Sequence, residues 1–558
     1  MKEEPNSVIE LIGVINDYFL ESYPDFTDGH SESHPILPPK NSKIIHDSLW
    51  GTNRFEWYEM SVIDSPILQR LRDIKQVGSA SLIYPSATHS RFEHSLGTSI
   101  IASRVFDSLI ARERKTLKMI VNSIDSSSDY YIVIEKMKQE LRLASILHDS
   151  GHTLYSHTSE STHSQIDLLK KATNELSDFV GKERSTGETL SYSIARSEFL
   201  KSLIERYNNS IPENIKHKYT PFRADLGNVA LMIVGKTKNP YTQFLADILT
   251  SGFDADKLDY LLRDGASAGL PVRYDLDRYL EFVSLDDSTT IIHKKNELKV
   301  IENVYGEKKD IGQKLDEYRL RLPQNAITSL EQIIIGKFML FGYIYHHPKV
   351  RAADSYIEKT LNTAVSGFKN KKIPDQKIIK WLFGLTDSFF NAIAMKNFEN
   401  ETEFFDEELK TCAYRIMNRT LPREILRLNG STVTHAAQDN VINFLINLQD
   451  PEKKKEEIEK IEGDLKSLIG EESLSVWLDV PKPPSFDDVT KSVGNVPFLN
   501  LFPIAQWIDS YMAYTYNVRV FTFSHLANKV REALLRYFPE KLGVSEDVVE
   551  KFMKNRDV

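Results

Sequence analysis

The stretch that decides the fold is Leu147-His148-Asp149-Ser150-Gly151-His152. It places two imidazoles and a carboxylate close together, and these groups bind metal ions or transfer protons. Apolar residues recur at helical spacing from Ile134 to Leu147. The pattern predicts a helix that carries the His-Asp pair at its C-terminal end and is closed by Gly151. Taken alone, the six residues would equally fit a helix end whose histidines are solvated or satisfied in the core.

Composition limits the class of protein. The 558 residues suggest roughly two to three domains, or one large helical body with appended lobes. The chain is 41% hydrophobic and 27% charged, as in a folded globular protein. Its 70 basic and 79 acidic residues give a net charge of −9. Nucleic acid is therefore an unlikely main substrate, and any polyanion must meet a local basic pocket.

Cysteine content and hydropathy indicate the cellular compartment and the type of metal ligand. Cys412 is the single cysteine, which excludes an intramolecular disulfide framework and a thiolate metal cluster and fits a reducing compartment. The acidic N-terminus does not resemble a signal peptide. The apolar stretch 333–345 contains Lys337 and is too short to span a bilayer. We expect a cytoplasmic protein without a membrane partner, whose metal ligands are His and carboxylate.

Breaks in the pattern divide the chain into four parts. Residues 1–42 predict an amphipathic helix and a linker, 43–354 a helical core, 355–480 a mainly helical region, and 481–558 a C-terminal module after a proline-rich break. A strand at 43–47 and a hairpin at 289–301 are the clearest β elements. The fold class is therefore mostly α, with small β elements and a mixed C-terminal region.

Three further segments have specific expectations. A helix should start at Asp64-Ser65-Pro66, with Asp64 as its cap, and run to Gln76. Residues 326–349 predict one long helix. Residues 158–190 are polar and rich in Ser and Thr, so we expect a mobile flap there.

Two distant segments supply partners for the His-Asp pair. His94 lies near the start of an apolar helix, where a lone histidine is more often a packed core residue than a ligand. In the acidic stretch 254–264, Asp256, Lys257, Tyr260 and Asp264 share one side of a predicted helix. Together, His94, His148, Asp149 and Asp256 form a nitrogen and oxygen ligand set that suits Mn, Fe, Zn or Ni.

This ligand set suits phosphoester hydrolysis, because a bound divalent ion polarises a phosphoryl oxygen and acidifies water. His152 and His157 lie beyond the ligands in sequence, where they could orient phosphate or protonate a leaving oxygen. Arg91, Lys257 and Lys337 would balance the charge of a polyphosphate. A solvated charged face is the alternative interpretation of such basic residues.

Four motifs, in order, resemble the HD-domain deoxynucleoside triphosphate (dNTP) triphosphohydrolases, and the resemblance covers about residues 43 to 350. They are Gln69-Arg70-Leu71-Arg72-x-Ile74-Lys75-Gln76-x-Gly78, His89-Ser90-Arg91-Phe92-Glu93-His94-Ser95-Leu96-Gly97, His148-Asp149-x-Gly151-His152-x-x-x-Ser156-His157 and Asp254-x-Asp256-Lys257-x-Asp259-Tyr260-x-x-Arg263-Asp264. A solitary His-Asp pair would be a weak signal, whereas four long motifs in order are highly specific.

The resemblance implies a helical HD-domain phosphohydrolase core that holds a divalent metal ion: Mn, Fe, Zn, Ni or Mg. It assigns His94, His148, Asp149 and Asp256 as the metal ligands. His157 matches the general acid, and His152 lies in the catalytic pocket. Glu160 stands where the family usually has aspartate, and Gly187-Glu188 replaces an expected His-Glu pair.

The resemblance also implies substrate contacts. Arg91 and Lys257 match triphosphate contacts, Tyr260 and Asp264 match contacts near the sugar, and Gln76 matches the sensor of the 3′-hydroxyl. Lys337 and Tyr345 match an arginine and a tyrosine of the substrate pocket.

Five positions match parts of two nucleotide-activation sites in vertebrate members of the family. Asp64, Gln69 and Arg72 match a guanine-nucleotide site, and Asp275 and Arg278 match a second allosteric site. The resemblance therefore implies an activating nucleotide and a homo-oligomer, either a tetramer or a dimer.

The expected reaction is metal-dependent hydrolysis of a dNTP to a deoxynucleoside and inorganic triphosphate. Two alternatives stay open: another HD phosphohydrolase, acting on nucleoside monophosphates, cyclic nucleotides or alarmones, and a nucleotide-sensing regulatory protein. The intact ligand set favours an enzyme over a sensor. Gln76, Tyr260 and Asp264 favour a deoxynucleoside substrate.

Overall fold

Helices dominate the architecture, as the sequence predicts. The computed structural model describes residues 3–26, 40–287, 318–322, 324–394, 404, 406–429, 435–448, 454–471, 474–481 and 517–553. The helices there are α1 (Asn6–Ser22), α2 (Trp57–Ile63), α3 (Pro66–Gln69), α4 (Arg91–Arg112), α5 (Arg114–Ile124), α6 (Tyr130–Leu147), α7 (Glu160–His163), α8 (Asp167–Val180), α9 (Thr186–Arg196), α10 (Glu198–Ser210), α11 (Leu226–Ile233), α12 (Gln243–Leu249), α13 (Ala255–Ala268), α14 (Leu276–Phe282), α15 (Ile327–Leu340), α16 (Pro348–Asn370), α17 (Asp375–Gly384), α18 (Asp387–Ala394), α19 (Glu407–Met417), α20 (His435–Asn447), α21 (Lys454–Ile469), α22 (Ala527–Leu542) and α23 (Glu546–Phe552).

The strands form three small antiparallel sheets. They are β1 (Ser42–Asp47), β2 (Gly51–Glu56), β3 (Ser284–Asp287), β4 (Tyr318–Arg321), β5 (Arg423–Leu428), β6 (Val476–Asp479) and β7 (Val518–Thr522). β1 pairs with β2 and β3 with β4, and the third sheet has the order β5-β7-β6. The expected strand at 43–47 is present. The hairpin expected at 289–301 lies outside the described residues.

The main core surrounds α6, which packs against α4 and α11, while α13 packs against α4. Asp129 is the N-cap residue of α6. Its carboxylate accepts the N–H groups of Tyr131 and Ile132 and so pairs donors that have no partner within the helix. Leu141 and Leu147 are fully buried. The helix therefore delivers its C-terminal end, and His148 after it, between α4 and α13.

Gly151 does not close α6 as expected, because it lacks the left-handed backbone of a closing glycine. Its role is to let the chain after α6 approach α9 closely. A Cβ atom there would lie 2.3 Å from the carbonyl oxygen of Gly187 and 2.5 Å from the amide nitrogen of Ser191. Glycine therefore lets the segment after α6 lie directly against α9, and its N–H donates to the Ser191 hydroxyl over 2.8 Å.

The amphipathic helix expected near the N-terminus is α1. Leu11, Ile15 and Phe19 are fully buried, and α1 packs against α8, α9 and α17 as part of the main core. The prediction of a mobile flap at residues 158–190 is wrong. Those residues form α7, α8 and the start of α9, and Leu169 and Leu176 of α8 are buried in the core.

The helix expected from Asp64 to Gln76 is much shorter. Ser65 is the N-cap residue, α3 ends at Gln69, and a 3₁₀ turn covers Arg70–Asp73. The chain then pairs with the segment before α4: Gln76 donates its N–H to the carbonyl of His89 over 3.0 Å, and Arg91 donates to that of Ile74 over 2.9 Å. This pairing holds residues 74–76 beside the start of α4.

The prediction of a single helix at residues 326–349 is also wrong. After α15, residues Phe341–Tyr345 form a π-helical turn, and α16 begins at Pro348. The residue before a proline is disfavoured in helical conformation, and His347 is accordingly extended, with ψ 132°.

Among the described residues, Ile327–Tyr345 is the one helical stretch long and apolar enough to cross a membrane by length and composition. It is longer than expected from the apolar stretch 333–345. Core helices of soluble proteins meet the same criteria, and Leu330, Ile333 and Leu340 of this stretch are buried in the main core.

The boundary expected at 354/355 falls inside α16, which belongs to the main core with α17, α18 and α19. A second hydrophobic cluster is built by the sheet β5-β7-β6 with α20, α21, α22 and α23. The C-terminal region is therefore mixed, as expected, but it starts near β5. Residues 482–484 of the proline-rich break lie outside the described residues.

The contact between α4 and α13 depends on Gly97. A Cβ atom there would lie 1.9 Å from a carboxylate oxygen of Asp259 and 2.4 Å from the guanidinium of Arg263, both buried. We expect Gly97→Ala to lower the free energy of unfolding by about 1–3 kcal/mol, the usual cost of overpacking. Gly367→Ala is the matched control, because Gly367 lies in α16 and a Cβ atom added there would have nothing within 4 Å. It should be neutral or stabilising. Equal denaturant midpoints for the two variants would contradict this account.

Candidate metal centre

The four predicted ligands come together from three elements: His94 from α4, His148 and Asp149 from the segment after α6, and Asp256 from α13. Nε2 of His94 lies 3.0 Å from Asp256 Oδ1 and 3.6 Å from Asp149 Oδ2. Nε2 of His148 lies 3.5 Å from Asp149 Oδ1 and 3.7 Å from Asp256 Oδ1. One atom each from His94, His148 and Asp149 falls within 4.8 Å of the others. The expected ligands are thus within reach of one ion.

The electrostatics of this cluster favour positive charge. Burial opposes protonation of His94, but the carboxylates of Asp256 and Asp259 raise its pKa to about 10. Burial likewise opposes ionisation of Asp149, yet Arg91 and His148 hold its pKa well below the ordinary value. The acidic groups therefore stay ionised and attract a cation in a buried place, as a metal site requires.

The imidazoles are oriented as metal ligands. Nδ1 of His94 lies 2.8 Å from a carboxylate oxygen of Asp259, and Nδ1 of His148 lies 2.8 Å from the carbonyl oxygen of Ser145. Both Nδ1 atoms therefore donate a hydrogen, so Nε2 is the nitrogen that faces the carboxylates and would bind a metal ion in place of a proton. Among the described residues, neither buried Nε2 atom makes a hydrogen bond of acceptable geometry, although each lies within 3.0–3.7 Å of a carboxylate oxygen. The residues fit a divalent ion, and an all nitrogen and oxygen set does not select which one.

Sequence reasoning missed the residue that orients His94. Asp259 is fully buried and accepts hydrogen bonds from His94, from Arg263 over 2.8 Å and from the indole N–H of Trp50. Arg263 also donates to Asp47 over 2.9 Å, at the end of β1. A signal was available, since Asp259 and Arg263 are charged, each directly follows a leucine of α13, and they are four residues apart.

A second group lies beside the first. His157 Nδ1 lies 3.1 Å from Glu160 Oε1, and His152 Nδ1 lies 3.5 Å from the same oxygen. Burial opposes ionisation of Glu160, but His157 and His152 hold its pKa at about 2. Burial and the nearby Arg91 lower the pKa of His152 to about 4. At neutral pH, Glu160 is therefore ionised and His152 is neutral.

Arg91 joins the two groups. Its buried guanidinium donates to Asp149 and, over 2.8 Å, to the hydroxyl of Ser156, and it lies 3.3 Å from Nε2 of His157. The His157 side chain is 73% exposed, so it faces an open space. An open imidazole beside a guanidinium is the arrangement expected where phosphate binds.

The backbone turn at Tyr155 and Ser156, directly before His157, is strained. Tyr155 and Ser156 both have left-handed backbones, with φ 47° and 58°. Residues other than glycine rarely adopt this backbone conformation. It costs about 1–3 kcal/mol per residue and persists only when surrounding contacts hold it. Such strain is often found at functional sites.

The residues expected near a sugar form a third group. Asp264 is buried, lies 2.7 Å from His89 Nε2 and accepts the hydroxyl of Tyr345. Gln76 is tied to the backbone of His89, and its buried Oε1 has no hydrogen-bond partner among the described residues. Tyr260 lies on the same helix as Asp264. Burial, followed by the charges of Asp256, Asp254 and Asp264, raises its pKa.

The basic residues expected at a triphosphate differ in placement. Lys257 does not face the His-Asp cluster with a free ammonium group: it donates to Ser251 over 2.8 Å and to Asp254 over 2.7 Å. Lys337 lies over the ring of Phe341, which contacts the Tyr345 ring.

The five residues expected at activating sites make local contacts. Asp64 pairs with Lys43 over 2.6 Å. Gln69 accepts from Arg72 over 2.8 Å, and Arg72 lies over the ring of Phe92. Asp275 caps α14 through the N–H of Arg278, whose side chain donates to a backbone carbonyl.

Comparison with known proteins places this geometry in context. No family model matches the sequence. The chain is 30% identical to the deoxynucleoside triphosphate triphosphohydrolase SAMHD1 homolog of Dictyostelium discoideum over 260 residues, 46% of this chain and 42% of that protein. It is 26% identical to human deoxynucleoside triphosphate triphosphohydrolase SAMHD1 over 331 residues, 57% of this chain and 46% of the human protein.

The chain is thus similar to curated dNTP triphosphohydrolases. It spans about half the length of the curated relatives it matches. The relatives also include an uncharacterized protein of Methanocaldococcus jannaschii, 26% identical over 60% of this chain and 52% of that protein. The crystal structure of a hypothetical protein from Aquifex aeolicus superimposes with a TM-score of 0.52 at 20% identity, over 88% of this chain and all of that chain. The likeness supports the mostly helical fold.

A metal-binding test follows from the ligand geometry. We expect Asp256→Asn to weaken divalent-metal affinity about tenfold or more, because metal ligands and their orienting partners contribute at least that much. The helical circular dichroism should stay unchanged. Asp277→Asn is the control, since Asp277 is an exposed acidic residue in the first turn of α14. Elemental analysis after equilibrium dialysis reports the bound metal. Full metal content in Asp256→Asn would remove Asp256 from the ligand set.

Proposed function

We propose that the protein hydrolyses dNTPs to a deoxynucleoside and inorganic triphosphate. The observation that carries the proposal is the union of three groups: the candidate metal ligands, the His157–Glu160 pair and the Gln76–Asp264 group. Arg91 links the first two through Asp149 and His157. α13 links the first to the third, since it carries both Asp256 and Asp264. The names of the curated relatives support the same reaction.

The candidate metal ligands and Arg91 are the proposed contacts of the phosphate groups. A divalent ion held by His94, His148, Asp149 and Asp256 would supply charge stabilisation at the phosphoryl group and acidify water. Arg91 is preorganised for the phosphate oxygens, because Ser156 and Asp149 fix its guanidinium. A guanidinium that is already oriented loses little freedom when an anion binds.

His157 is the proposed proton donor to the departing 5′-oxygen. Glu160 is ionised and accepts from Nδ1 of His157, which leaves Nε2 as the nitrogen that delivers the proton. A carboxylate partner also stabilises the protonated imidazole before transfer. Neutral His152 lies beside His157, with its Nδ1 3.5 Å from the same Glu160 oxygen.

Gln76, Tyr260 and Asp264 are the proposed sugar contacts. His89 and Tyr345 each contact one oxygen of Asp264, so its carboxylate is held in one orientation. The free amide oxygen of Gln76 supplies an acceptor for a 3′-hydroxyl. A site built to pair a hydroxyl rejects substrates that lack it.

A hydrolase of another nucleotide phosphoester is the second candidate. Lys257 favours it, because its ammonium is occupied by Asp254 and Ser251 rather than open to a triphosphate. A homo-oligomer, either a dimer or a tetramer, and an activating nucleotide are further proposals, and they rest on the resemblance at Asp64, Gln69, Arg72, Asp275 and Arg278.

Product analysis tests the reaction. The pure protein is incubated with each dNTP and with Mn²⁺, Mg²⁺, Zn²⁺, Ni²⁺ or Fe²⁺, and the products are resolved by anion exchange. We expect inorganic triphosphate and deoxynucleoside in equal amounts. His157→Gln should lower kcat by about 10²–10⁴-fold, the usual contribution of a positioned proton donor, while Asp277→Asn keeps full activity. Stepwise release of monophosphate, or hydrolysis only of other nucleotides, would contradict the proposal.

A further inference from the structure

Asp387 is a buried carboxylate from outside the recognised motifs that contacts two loops of the site. It is the first residue of α18 and is 4% exposed. Its Oδ1 accepts the N–H of Tyr155 over 2.8 Å, and its Oδ2 accepts the N–H of Lys75 over 2.9 Å. One side chain therefore holds the backbone of both loops.

The two loops lead directly to the proposed site. The hydroxyl of Ser156 donates to the carbonyl of Lys75 over 2.5 Å and accepts from Arg91 over 2.8 Å. Arg91 in turn donates to Asp149. Gln76 follows Lys75, and His157 follows Ser156. A shift of either loop thus moves a proposed sugar contact or the proposed proton donor.

The backbones of the two loops are closely packed. Tyr155 and Ser156 have left-handed backbones, and so does Gly78, at φ +53°. A Cβ atom at Gly78 would lie 2.8 Å from the carbonyl oxygen of Tyr155. The Ser156 hydroxyl pairs a carbonyl across this contact, and the Asp387 carboxylate from α18 pairs the N–H groups of Lys75 and Tyr155.

Asp387 is itself held in place. Asp73 accepts from the hydroxyl of Thr386 over 2.6 Å and from the N–H and hydroxyl of Ser388. The ring of Phe390, on the next turn of α18, packs edge-on against Tyr155. The start of α18 is therefore fixed on both sides of the carboxylate.

We propose that Asp387 is a positioning residue for the reaction, which sets the relative placement of residues 74–76 and 155–157 and couples α18 to the site. The catalytic half of this proposal rests on the proposed function, whereas the structural half rests on the hydrogen bonds alone. Asp387 acts through Lys75, Tyr155 and Ser156.

Asp387→Asn is the informative variant. Burial, and then the nearby Asp73, raise the pKa of Asp387 to about 7 against the opposing effect of the two N–H donors. A neutral amide of the same shape therefore leaves no new buried charge, but its NH₂ group cannot accept the second N–H. Asp375→Asn is the matched control: Asp375 is also the first residue of its helix, and it accepts the N–H of Leu168 over 2.8 Å at the start of α8.

Two independent measurements test the proposal on the metal-loaded protein. Amide hydrogen exchange should become about tenfold faster or more at Lys75 or Tyr155 in Asp387→Asn, because a lost hydrogen bond exposes the amide to exchange. The kcat for the hydrolysed nucleotide should fall about tenfold or more, since small misplacement of catalytic groups has effects up to ~10²-fold. Metal content should be unchanged. Asp375→Asn should alter exchange only near Leu168 and keep its kcat.

The outcomes are separable. Faster exchange with unchanged kcat, or a kcat loss equal in both variants, would overturn the positioning role. Unchanged exchange at both amides would overturn the structural half. If wild-type protein hydrolyses no nucleotide, the proposed function and the catalytic half both fail, and the exchange result still decides the structural half. If Asp387→Asn does not fold, Asp73→Asn replaces it, with a smaller loss of kcat expected.

Discussion

The buried carboxylate of Asp259 is the interaction on which the candidate site depends. It accepts from His94 on α4, from Arg263 on its own helix α13 and from Trp50 in the turn between β1 and β2. These bonds tie three elements together and fix which nitrogen of His94 faces the metal ligands. Gly97 leaves room for the carboxylate. The orientation of the His94 ring is therefore set by residues outside the candidate ligand set.

Buried charge makes this arrangement demanding. Asp47, Asp259 and Arg263 are nearly inaccessible to water, and removing one partner from such a network typically costs about 3–5 kcal/mol, because the others stay buried and unpaired. The same reasoning applies to Arg91 and Asp149, which are also paired and buried. These networks keep the site residues in fixed positions before a substrate or ion binds.

Local patterns predicted the elements that carry the ligands, because α4, α6 and α13 have apolar periodicity and the ligands lie at their ends or on one face. Features set by distant contacts escaped prediction. The role of Asp259 depends on Trp50, and that of Gly151 on α9. The polar stretch 158–190 looked like a flap, yet its polar residues include helix caps, such as Ser185, which starts α9. The role of Asp387 required knowing that α18 reaches the loops at Lys75 and Tyr155.

We propose that His94, His148, Asp149 and Asp256 hold one divalent ion. Anomalous diffraction from crystals grown with Mn²⁺ tests it most directly. We expect a single strong peak within about 2.5 Å of the Nε2 atoms of both histidines and of both carboxylates, at distances normal for hard divalent ions. A peak elsewhere in the chain, or no peak at saturating Mn²⁺, would contradict it.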